Sequence, residues 1–255
     1  MTTARRWTVV AAPIIFGVIV LLAWQGAVVA FDIKPFVIPD PLTIGQQFAS
    51  RNDVIVQASL GTARNALIGL VVGTAIGTIW AMIAAALRPM DELSAPVLTA
   101  LAVVPIVAMA PVFYAMFGAS VETGRQIIAA IAVFTPVYFN VLRGLRQVKP
   151  IHRDLMRAYA ASPRQLTWTV TFPGAVPYFF TGLRIASSLA VISALVAEYF
   201  GGPVSGLGKA ITSAVSSSNY PLAWAFVLGA ILTGLAFYCL TYLLEVLVTS
   251  RMRAA

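Results

Sequence analysis

The sequence predicts an all-α, polytopic membrane protein with six transmembrane helices. Of its 255 residues, 60% are hydrophobic and only 10% are charged, whereas a soluble domain carries about 25% charged residues. The mean hydropathy is +0.89, and several stretches of 23 or more residues contain no charge at all. This composition excludes a soluble enzyme, a disordered chain and a disulfide scaffold.

Uncharged stretches locate the individual spans, because a helix needs about 20 apolar residues to cross a bilayer. They predict spans at about 9–31, 61–87, 96–117, 125–145 and 221–248. A further span at about 178–200 has to include Arg184 and Glu198 near its two ends. Arg184 can extend toward the headgroups from that position. Six spans place both termini on one side of the membrane.

The basic residues predict the orientation. With the amino terminus inside, 12 of the 17 Lys and Arg residues fall on the cytoplasmic side, as the positive-inside rule requires. We therefore expect a multi-pass protein of the inner or plasma membrane with both termini in the cytoplasm. Residues 1–255 form a single transmembrane domain, whose core spans 61–208. The longest polar segments are 32–58 outside and 146–176 inside.

The sequence offers no catalytic or metal-binding constellation. His152 is the only histidine and Cys239 the only cysteine, so a zinc site or a disulfide within the chain is not expected. The segment from Gly206 to Lys209 resembles a phosphate-binding loop, but Pro203 and Ala210 stand where that motif needs Gly and Ser or Thr. We expect no catalytic residue, no metal and no cofactor in this chain.

The segment 146–176 predicts two short helices. Pro150 opens a helical run to about Ala161, on which one mostly apolar face is formed by Leu155, Met156, Tyr159 and Ala160. Ser162-Pro163-Arg164-Gln165 is a capping box, so a second helix runs to about Phe172. We expect Pro173 and Pro177 to break the chain before the next span. An apolar patch rimmed by basic residues fits either a docking partner or an amphipathic hairpin on lipid.

This loop resembles the coupling loop of ATP-binding-cassette (ABC) importer permeases, whose pattern is E-A-A-x3-G-x9-I-x-L-P. Pro173 matches the final Pro, and the remaining pattern positions are occupied by Asp154, Leu155, Met156, Ala160, Val170 and Phe172. Ala160 replaces the family's Gly, which weakens the expectation that a left-handed turn is required there. The resemblance favours the docking interpretation.

Further segments resemble the same permeases, in family order and spacing. They are 36–41 (FVIPDP), 104–111 (VPIVAMAP), 134–136 with 144–146 (FTP, GLR), 182–186 (GLRIA), 197–201 (AEYFG) and 206–208 (GLG). The first of them resembles permeases for nitrate, sulfonate, taurine and thiamine-precursor pyrimidines. Residues 154–157 (DLMR) and Pro177-Tyr178 favour the pyrimidine-precursor branch.

The resemblance implies a type I importer permease that forms the pathway for a small solute. It implies two permease copies, in this case a homodimer, two ATPase subunits that bind ATP and Mg, and an extracytoplasmic solute-binding protein. No nucleic-acid partner is expected. The residues expected to couple to the ATPases are Asp154, Leu155, Met156, Arg157, Tyr159, Ala160, Ala161 and Ser162.

A second set of candidates lies within the spans. Glu198 is a costly intramembrane charge that can contact solute, form a gate ion pair or cap the outer turn. Met109, Phe113 and Tyr114 are candidates to line the pathway. Gly69, Gly73 and Gly77 are spaced for close helix packing, with a conformational hinge as the alternative.

Two other classes of membrane protein remain as alternatives. An ion-coupled secondary transporter or channel usually has intramembrane carboxylates and repeated broken helices, whereas this sequence shows one such carboxylate and no clear inverted repeat. A membrane enzyme needs several polar groups that converge at membrane depth, and no such set is apparent in the sequence.

Overall fold

The computed structural model describes residues 3–201 and 205–254. The predicted core, 61–208, therefore contains three residues, 202–204, that lie outside the described residues. All regular elements in the described part of the chain are helical, which confirms the predicted all-α class. The α-helices are α1 (Thr3–Ala30), α2 (Pro41–Ser50), α3 (Asn52–Ala86), α4 (Arg88–Val103), α5 (Ala110–Phe117), α6 (Thr123–Arg146), α7 (Pro150–Ala158), α8 (Pro163–Leu166), α9 (Phe172–Glu198), α10 (Leu207–Ser216) and α11 (Tyr220–Ala254).

Five helical segments of the described chain are long and apolar enough to cross a membrane. They are Ala11–Ala30, Asn52–Ala86, Thr123–Arg146, Pro163–Glu198 and Tyr220–Met252. The third predicted span in chain order, 96–117, is not one continuous helix. It consists of the end of α4, a 3₁₀ turn at Ile106–Met109 and α5. The break follows from Pro105, which holds Val104 in an extended conformation at φ −66° and ψ 126°.

The helix that contains the fifth predicted span starts earlier than the sequence suggested. The expectation that Pro173 and Pro177 break the chain is wrong, because α8, a π-helical turn at Thr167–Thr171 and α9 form one helical segment, Pro163–Glu198. In the π turn the amide of Phe172 donates to the carbonyl of Thr167, five residues back. The wider turn accommodates the proline that follows, since a proline ring clashes with the carbonyl four residues before it.

The core of the molecule lies where α3, α6 and α9 pack together. Small residues form much of it, including the fully buried Ala129 on α6 and Ala186 and Ala190 on α9. The amino ends of α3 and α6 meet the carboxyl end of α9, as the hydrogen bonds from Thr62 to Glu198 and from Asn65 to Glu122 show. We call this side of the bundle the predicted outer side, following the charge distribution, and the opposite side the predicted inner side.

The short helix α2 lies on the predicted outer side, between α1 and α3. Asp40 caps its amino end by accepting hydrogen bonds from the backbone and side chain of Thr43, at 3.0 and 2.7 Å. Those two hydrogen bonds lower the pKa of the Asp40 carboxyl below its ordinary value. The amide of Leu42 also donates to Gln25 of α1 at 3.1 Å, so the cap region holds α1 and α2 together.

Candidate functional site

The first candidate site is the exposed helix α7, which carries an apolar stripe. Ile151, Leu155 and Tyr159 follow one another every four residues and are 67%, 53% and 75% exposed. Residues at this spacing share one face of a helix. No residue of α7 is buried. Leu155 and Tyr159 of the predicted apolar face are thus exposed in the structure. Ile151, which was not among the predicted residues, extends the exposed apolar face by one turn.

The other predicted coupling residues lie on and beyond the same helix. Met156 is half-buried. Asp154 and Arg157 form an exposed ion pair with 3.2 Å between carboxylate and guanidinium. Residues three positions apart are neighbours on a helix surface, so opposite charges at this spacing can pair. Such a pair contributes little stability in water. Its groups therefore remain able to contact a partner.

Helix α7 ends in a Schellman motif with a left-handed residue. The amide of Ala160 donates to the carbonyl of Arg157 at 2.9 Å, and the amide of Ala161 donates to that of Met156 at 3.0 Å. Ala160 has a φ of +52°. The replacement of the family's Gly weakens the expectation of a left-handed turn at this position, yet the structure has one and places an alanine in a conformation that favours glycine.

The predicted capping box is present at the start of α8. The amide of Gln165 donates to the Ser162 hydroxyl at 3.3 Å, and the amide of Ser162 donates to the Gln165 side chain at 2.7 Å. Ser162 therefore ends the α7 turn and begins the long helical segment 163–198. This segment contains 36 residues, which corresponds to about 54 Å of helix.

Polar contacts fix the base of the loop to the bundle. The side chain of Gln147 donates to the carbonyl of Gly174 at 2.7 Å. Arg146 pairs with Asp91 at 2.9 Å and donates to the carbonyl of Ala84 at 3.3 Å. The base of the loop is thus held to α3, α4 and α9, whereas α7 itself has no buried residue.

The second candidate site is a buried cluster around Glu198 at the far end of the same helical segment. Glu198 has no exposed surface. Thr62 donates to its carboxylate, with distances of 3.0 and 2.9 Å to the two oxygens, and the amide of Gly208 donates at 2.8 Å. The amide of Leu207 in turn donates to the Thr62 hydroxyl at 2.9 Å. Glu198 and Thr62 thereby satisfy two of the free amides at the start of α10.

Two glycines at the start of α10, Gly206 and Gly208, leave room for the Glu198 side chain. A Cβ atom added to Gly206 or Gly208 would overlap the side chain of Glu198. The segment 206–208 was selected from the sequence as part of a family resemblance, but its spatial relation to Glu198 was not foreseen. Only the fold brings Thr62, Glu198 and Gly208 together, since 136 residues separate the first two along the chain.

A polar network continues from this cluster along the predicted outer side. The fully buried Arg125 pairs with Glu122 at 2.7 Å and donates to the carbonyl of Gly201 at 3.3 Å. Asn65 and Ser205 also donate to Glu122, at 2.7 and 2.9 Å. These contacts join α3, α6 and the segment after α9. A buried ion pair requires such additional hydrogen bonds, because its desolvation is costly.

The remaining pathway candidates have different surroundings. Met109 is exposed at the end of the 3₁₀ turn, and Phe113 is half-buried. Tyr114 is buried, and its hydroxyl donates to the carbonyl of Ala197 at 2.8 Å. The four residues predicted together as pathway candidates thus separate into one exposed side chain and three that pack near the carboxyl end of α9.

The three predicted packing glycines of α3, Gly69, Gly73 and Gly77, lie against α6. A Cβ atom at Gly69 would meet the backbone of Ala129, one at Gly73 would meet Val133, and one at Gly77 would approach the carbonyl of Phe134 within 3.0 Å. This is the close backbone approach that small residues every fourth position allow. The close contact that they form joins the middle of α3 to α6.

Arg184 has a partner that the sequence analysis did not identify. Its guanidinium lies 3.4 Å from the carboxylate of Glu245 on α11. It also lies 6.0 and 5.9 Å from the ring centres of Tyr238 and Tyr242, within the range of a cation–π interaction. The opposite charges on two predicted spans were the available signal, but their pairing depends on how α9 and α11 pack.

Comparison with known proteins places these features in a family. The sequence matches the family described as binding-protein-dependent transport system inner membrane component over residues 54–254. The riboflavin transport system permease protein RibX of Chloroflexus aurantiacus is 30% identical over 242 residues, which cover 94% of this chain and 89% of that protein. The formylaminopyrimidine transport permease protein ThiX of Halalkalibacterium halodurans is 27% identical over 190 residues, covering 74% and 75%.

A solved structure supports the fold independently. The crystal structure of an amino acid ABC transporter with histidines superposes with a TM-score of 0.65 and covers 78% of this chain and 95% of that chain. Its sequence identity is 14%, so it shows the fold alone. In this family ATP hydrolysis resides in separate subunits. The chain belongs to the binding-protein-dependent transport system inner membrane components, as a multi-pass inner-membrane permease subunit of an ABC importer and not an enzyme.

Proposed function

We propose that two copies of this chain form the translocation pathway of an importer and bind two ATPase subunits through the loop at 150–173. The observation that carries the proposal is the exposed apolar stripe of Ile151, Leu155 and Tyr159. Basic side chains flank it, among them Arg153 and Arg157. Exposed apolar patches with polar rims are typical of protein interfaces. In the complex, Asp154, Met156 and the turn from Ala160 to Ser162 complete the docking surface.

The long helical segment 163–198 supports a mechanical role for this loop. It begins directly after the α7 turn and ends at Glu198 in the predicted outer cluster. Closure of the ATPases moves α7, and the segment transmits that movement as a rigid body to the predicted outer side. This chain then needs no catalytic residue, because the ATPase subunits hydrolyse ATP and their movement reaches this chain through the docking surface.

The candidates at the end of this segment take two roles in the proposal. Met109 contributes a surface to the pathway, since its side chain is exposed. Tyr114 and Glu198 position the gate, because both are buried and hold neighbouring backbone through hydrogen bonds. Phe113 packs beside them.

For the solute we propose a small nitrogen heterocycle delivered by an extracytoplasmic binding protein. Two relatives that the chain covers over most of their length are named for riboflavin and formylaminopyrimidine, and both compounds contain pyrimidine-type rings. Sulfonate-like and nitrate-like solutes are the competing class. A binding screen of the cognate binding protein against both classes tests this: micromolar binding of a sulfonate or nitrate, with no heterocycle bound, would contradict the proposal.

Both termini lie on the cytoplasmic side in this proposal. Supporting it, the carboxyl end of α1 contacts α2 through Gln25, and the amino end of α11 packs against α10 on the same side through Ala223 and Phe226. The amino end of α1 and the carboxyl end of α11 therefore lie at the opposite side. A reporter protein that fluoresces only in the cytoplasm, fused to either terminus, is expected to fluoresce in both fusions. A fusion that does not fluoresce would place that terminus outside the cytoplasm and contradict the proposal.

Copurification with the ATPase subunit tests the docking surface. The Leu155→Ser variant is expected to weaken ATPase binding at least about tenfold, since a central apolar anchor contributes much of an interface's affinity. Its thermal stability is expected to stay unchanged, because Leu155 is exposed. Leu42→Ser is the matched control: this leucine is 63% exposed, but it lies on α2 at the predicted outer side.

Two outcomes would refute this assignment. Equal ATPase binding by the Leu155→Ser variant and the wild type would remove the α7 stripe from the interface. Transport by the purified chain in vesicles without any ATPase would support the ion-coupled transporter or channel instead.

A further inference from the structure

A cavity of about 650 Å³ lies on the predicted outer side between α3, α10 and α11. Its polar lining includes Gln57 and Arg64 of α3 and Ser213 and Ser217 of α10, and its apolar lining includes Leu60 and Phe226. Neither the proposed ATPase surface nor the Glu198 cluster uses these side chains. The cavity therefore needs an explanation of its own.

The charge of the cavity is positive. Its lining contains Arg64 but neither Asp nor Glu, and none of the ion pairs formed within residues 3–201 and 205–254 includes Arg64. The guanidinium offers up to five N–H donors in a planar arrangement, which suits phosphate. Hydroxyl groups of Ser213 and Ser217 are further hydrogen-bonding groups in the same lining. The cavity thus fits an anionic group with several oxygen acceptors.

The position of Arg64 along α3 places the cavity at headgroup depth. Arg64 is the last charged residue before an uncharged run of 23 residues, 65–87. That run spans about 35 Å of helix, close to the roughly 30 Å of a bilayer's hydrocarbon core. The guanidinium consequently lies at the level where lipid phosphates lie.

A second cavity of about 550 Å³ follows along α3, beginning one helical turn further into the membrane. Leu67 and Val71 line it from α3, Leu183 from α9, and Leu240 and Leu244 from α11. Among the described residues, those that line it are all uncharged. Its α3 wall extends from Leu67 to Ile79, about 18 Å of helix, whereas one leaflet of the hydrocarbon core is about 15 Å thick.

We propose that these two cavities form the site of one anionic phospholipid, with its phosphate on Arg64 and one acyl chain along the groove between α3 and α11. A charged cavity directly above an apolar groove of leaflet length matches the shape and polarity of such a lipid. A soluble anion would leave the groove without an occupant. A zwitterionic lipid such as phosphatidylcholine has the same phosphate, but it would bring its choline cation close to the guanidinium. The lipid would hold α11 against α3 on this side of the bundle.

Lipid titration of the purified permease complex in detergent tests the proposal. Phosphatidylglycerol is expected to raise the thermal stability more than phosphatidylcholine with the same acyl chains. Arg64→Gln should weaken the phosphatidylglycerol effect about fivefold, since one basic residue near a membrane surface contributes about that factor. Arg51→Gln is the matched control, because Arg51 is also exposed on this side but lies outside the lining of both cavities. It is expected to leave the effect unchanged.

A groove-filling variant provides an independent measurement. Val71 is 60% exposed, so Val71→Trp can occupy the groove without disturbing the core. Val71→Trp should weaken the thermal stabilisation by both lipids. Arg64→Gln should mainly remove the additional stabilisation that phosphatidylglycerol gives over phosphatidylcholine.

Three results would overturn the proposal. Equal stabilisation by the two lipids would mean ordinary solvation of the bundle. Equal weakening by the Arg51 and Arg64 variants would mean unspecific charge attraction. Stabilisation by inorganic phosphate alone, retained in Val71→Trp, would assign the cavity to a soluble anion.

Discussion

The two ends of the helical segment 163–198 differ in burial and in hydrogen bonding. At the α7 end, Leu155 and Tyr159 are exposed, and Asp154 and Arg157 pair with each other on the surface. At the other end, Glu198 is fully buried and accepts hydrogen bonds from Thr62 and Gly208.

The difference teaches how to separate an interface from an internal joint. An exposed apolar stripe gains free energy only when another molecule covers it. A buried carboxylate has already lost its water, so the partners within the chain determine whether it is tolerated. Substitutions at the α7 end should therefore alter association, and substitutions at the Glu198 end should alter folding.

The largest effect is expected at Glu198. The Glu198→Leu variant leaves the Thr62 hydroxyl and the Gly208 amide without their acceptor in a buried site, at a cost of about 3 kcal/mol. Glu198→Gln retains an oxygen acceptor and is expected to lose less. Thermal unfolding in detergent, followed by loss of solubility, measures both variants.

Glu92→Gln is the control for this experiment, because Glu92 pairs with Arg88 in an exposed i, i+4 arrangement. Its loss should change stability by about 0.5 kcal/mol or less. Unchanged stability of Glu198→Leu together with lost transport would instead make Glu198 a solute contact, and the distinction drawn between the two ends would fail.

An intermediate effect is expected at the pair of Arg184 and Glu245, which lies between the two ends. The side chains of Arg184 and Glu245 are 26% and 21% exposed. The pair is therefore neither as exposed as the α7 stripe nor as buried as Glu198. Neutralising either residue alone, as Arg184→Gln or Glu245→Gln, leaves a partly buried charge and should cost about 1–2 kcal/mol. The double variant should cost less than the sum of the two, with a coupling energy of about 1 kcal/mol.

The exposed pair of Arg88 and Glu92 serves as the reference cycle, with an expected coupling of about 0.3–0.5 kcal/mol. Unfolding midpoints of the single and double variants give both couplings. Equal couplings would show that burial at Arg184 adds nothing, and Arg184 would then be a headgroup anchor, as its position in the sequence alone suggested.

The sequence was sufficient for features that depend on neighbours along the chain. The capping box of Ser162 and Gln165 uses residues three positions apart, and composition alone predicted the long apolar helices. The joints between helices required the fold. Nothing in the sequence pairs Thr62 with Glu198 or Arg184 with Glu245, because these contacts depend on helix rotation and register. The uncharged stretch 96–117 is not one continuous helix, which hydropathy alone does not show because it does not register the break that Pro105 imposes.

The smallest effect is expected at Ala160, within the exposed loop. Ala160 has a φ of +52°, where a Cβ atom costs about 1 kcal/mol. Ala160→Gly removes that strain but gives the unfolded chain more freedom, so the net gain should be about 0.5 kcal/mol. Global unfolding will not register this gain, because no residue of α7 is buried and the helix can open locally. Amide hydrogen exchange over 150–161 should slow by about twofold.

Ala158→Gly provides the control of opposite sign. Ala158 is the last residue of α7 and has no positive φ, so glycine there loses helix propensity, by up to about 1 kcal/mol. Exchange over the same segment should therefore accelerate. If both glycines slow exchange, or both accelerate it, the left-handed turn is not what limits the stability of α7. If only Ala160→Gly slows exchange and ATPase binding also tightens, the exposed helix binds in the conformation that the free chain already has, and the strained alanine lowers its affinity.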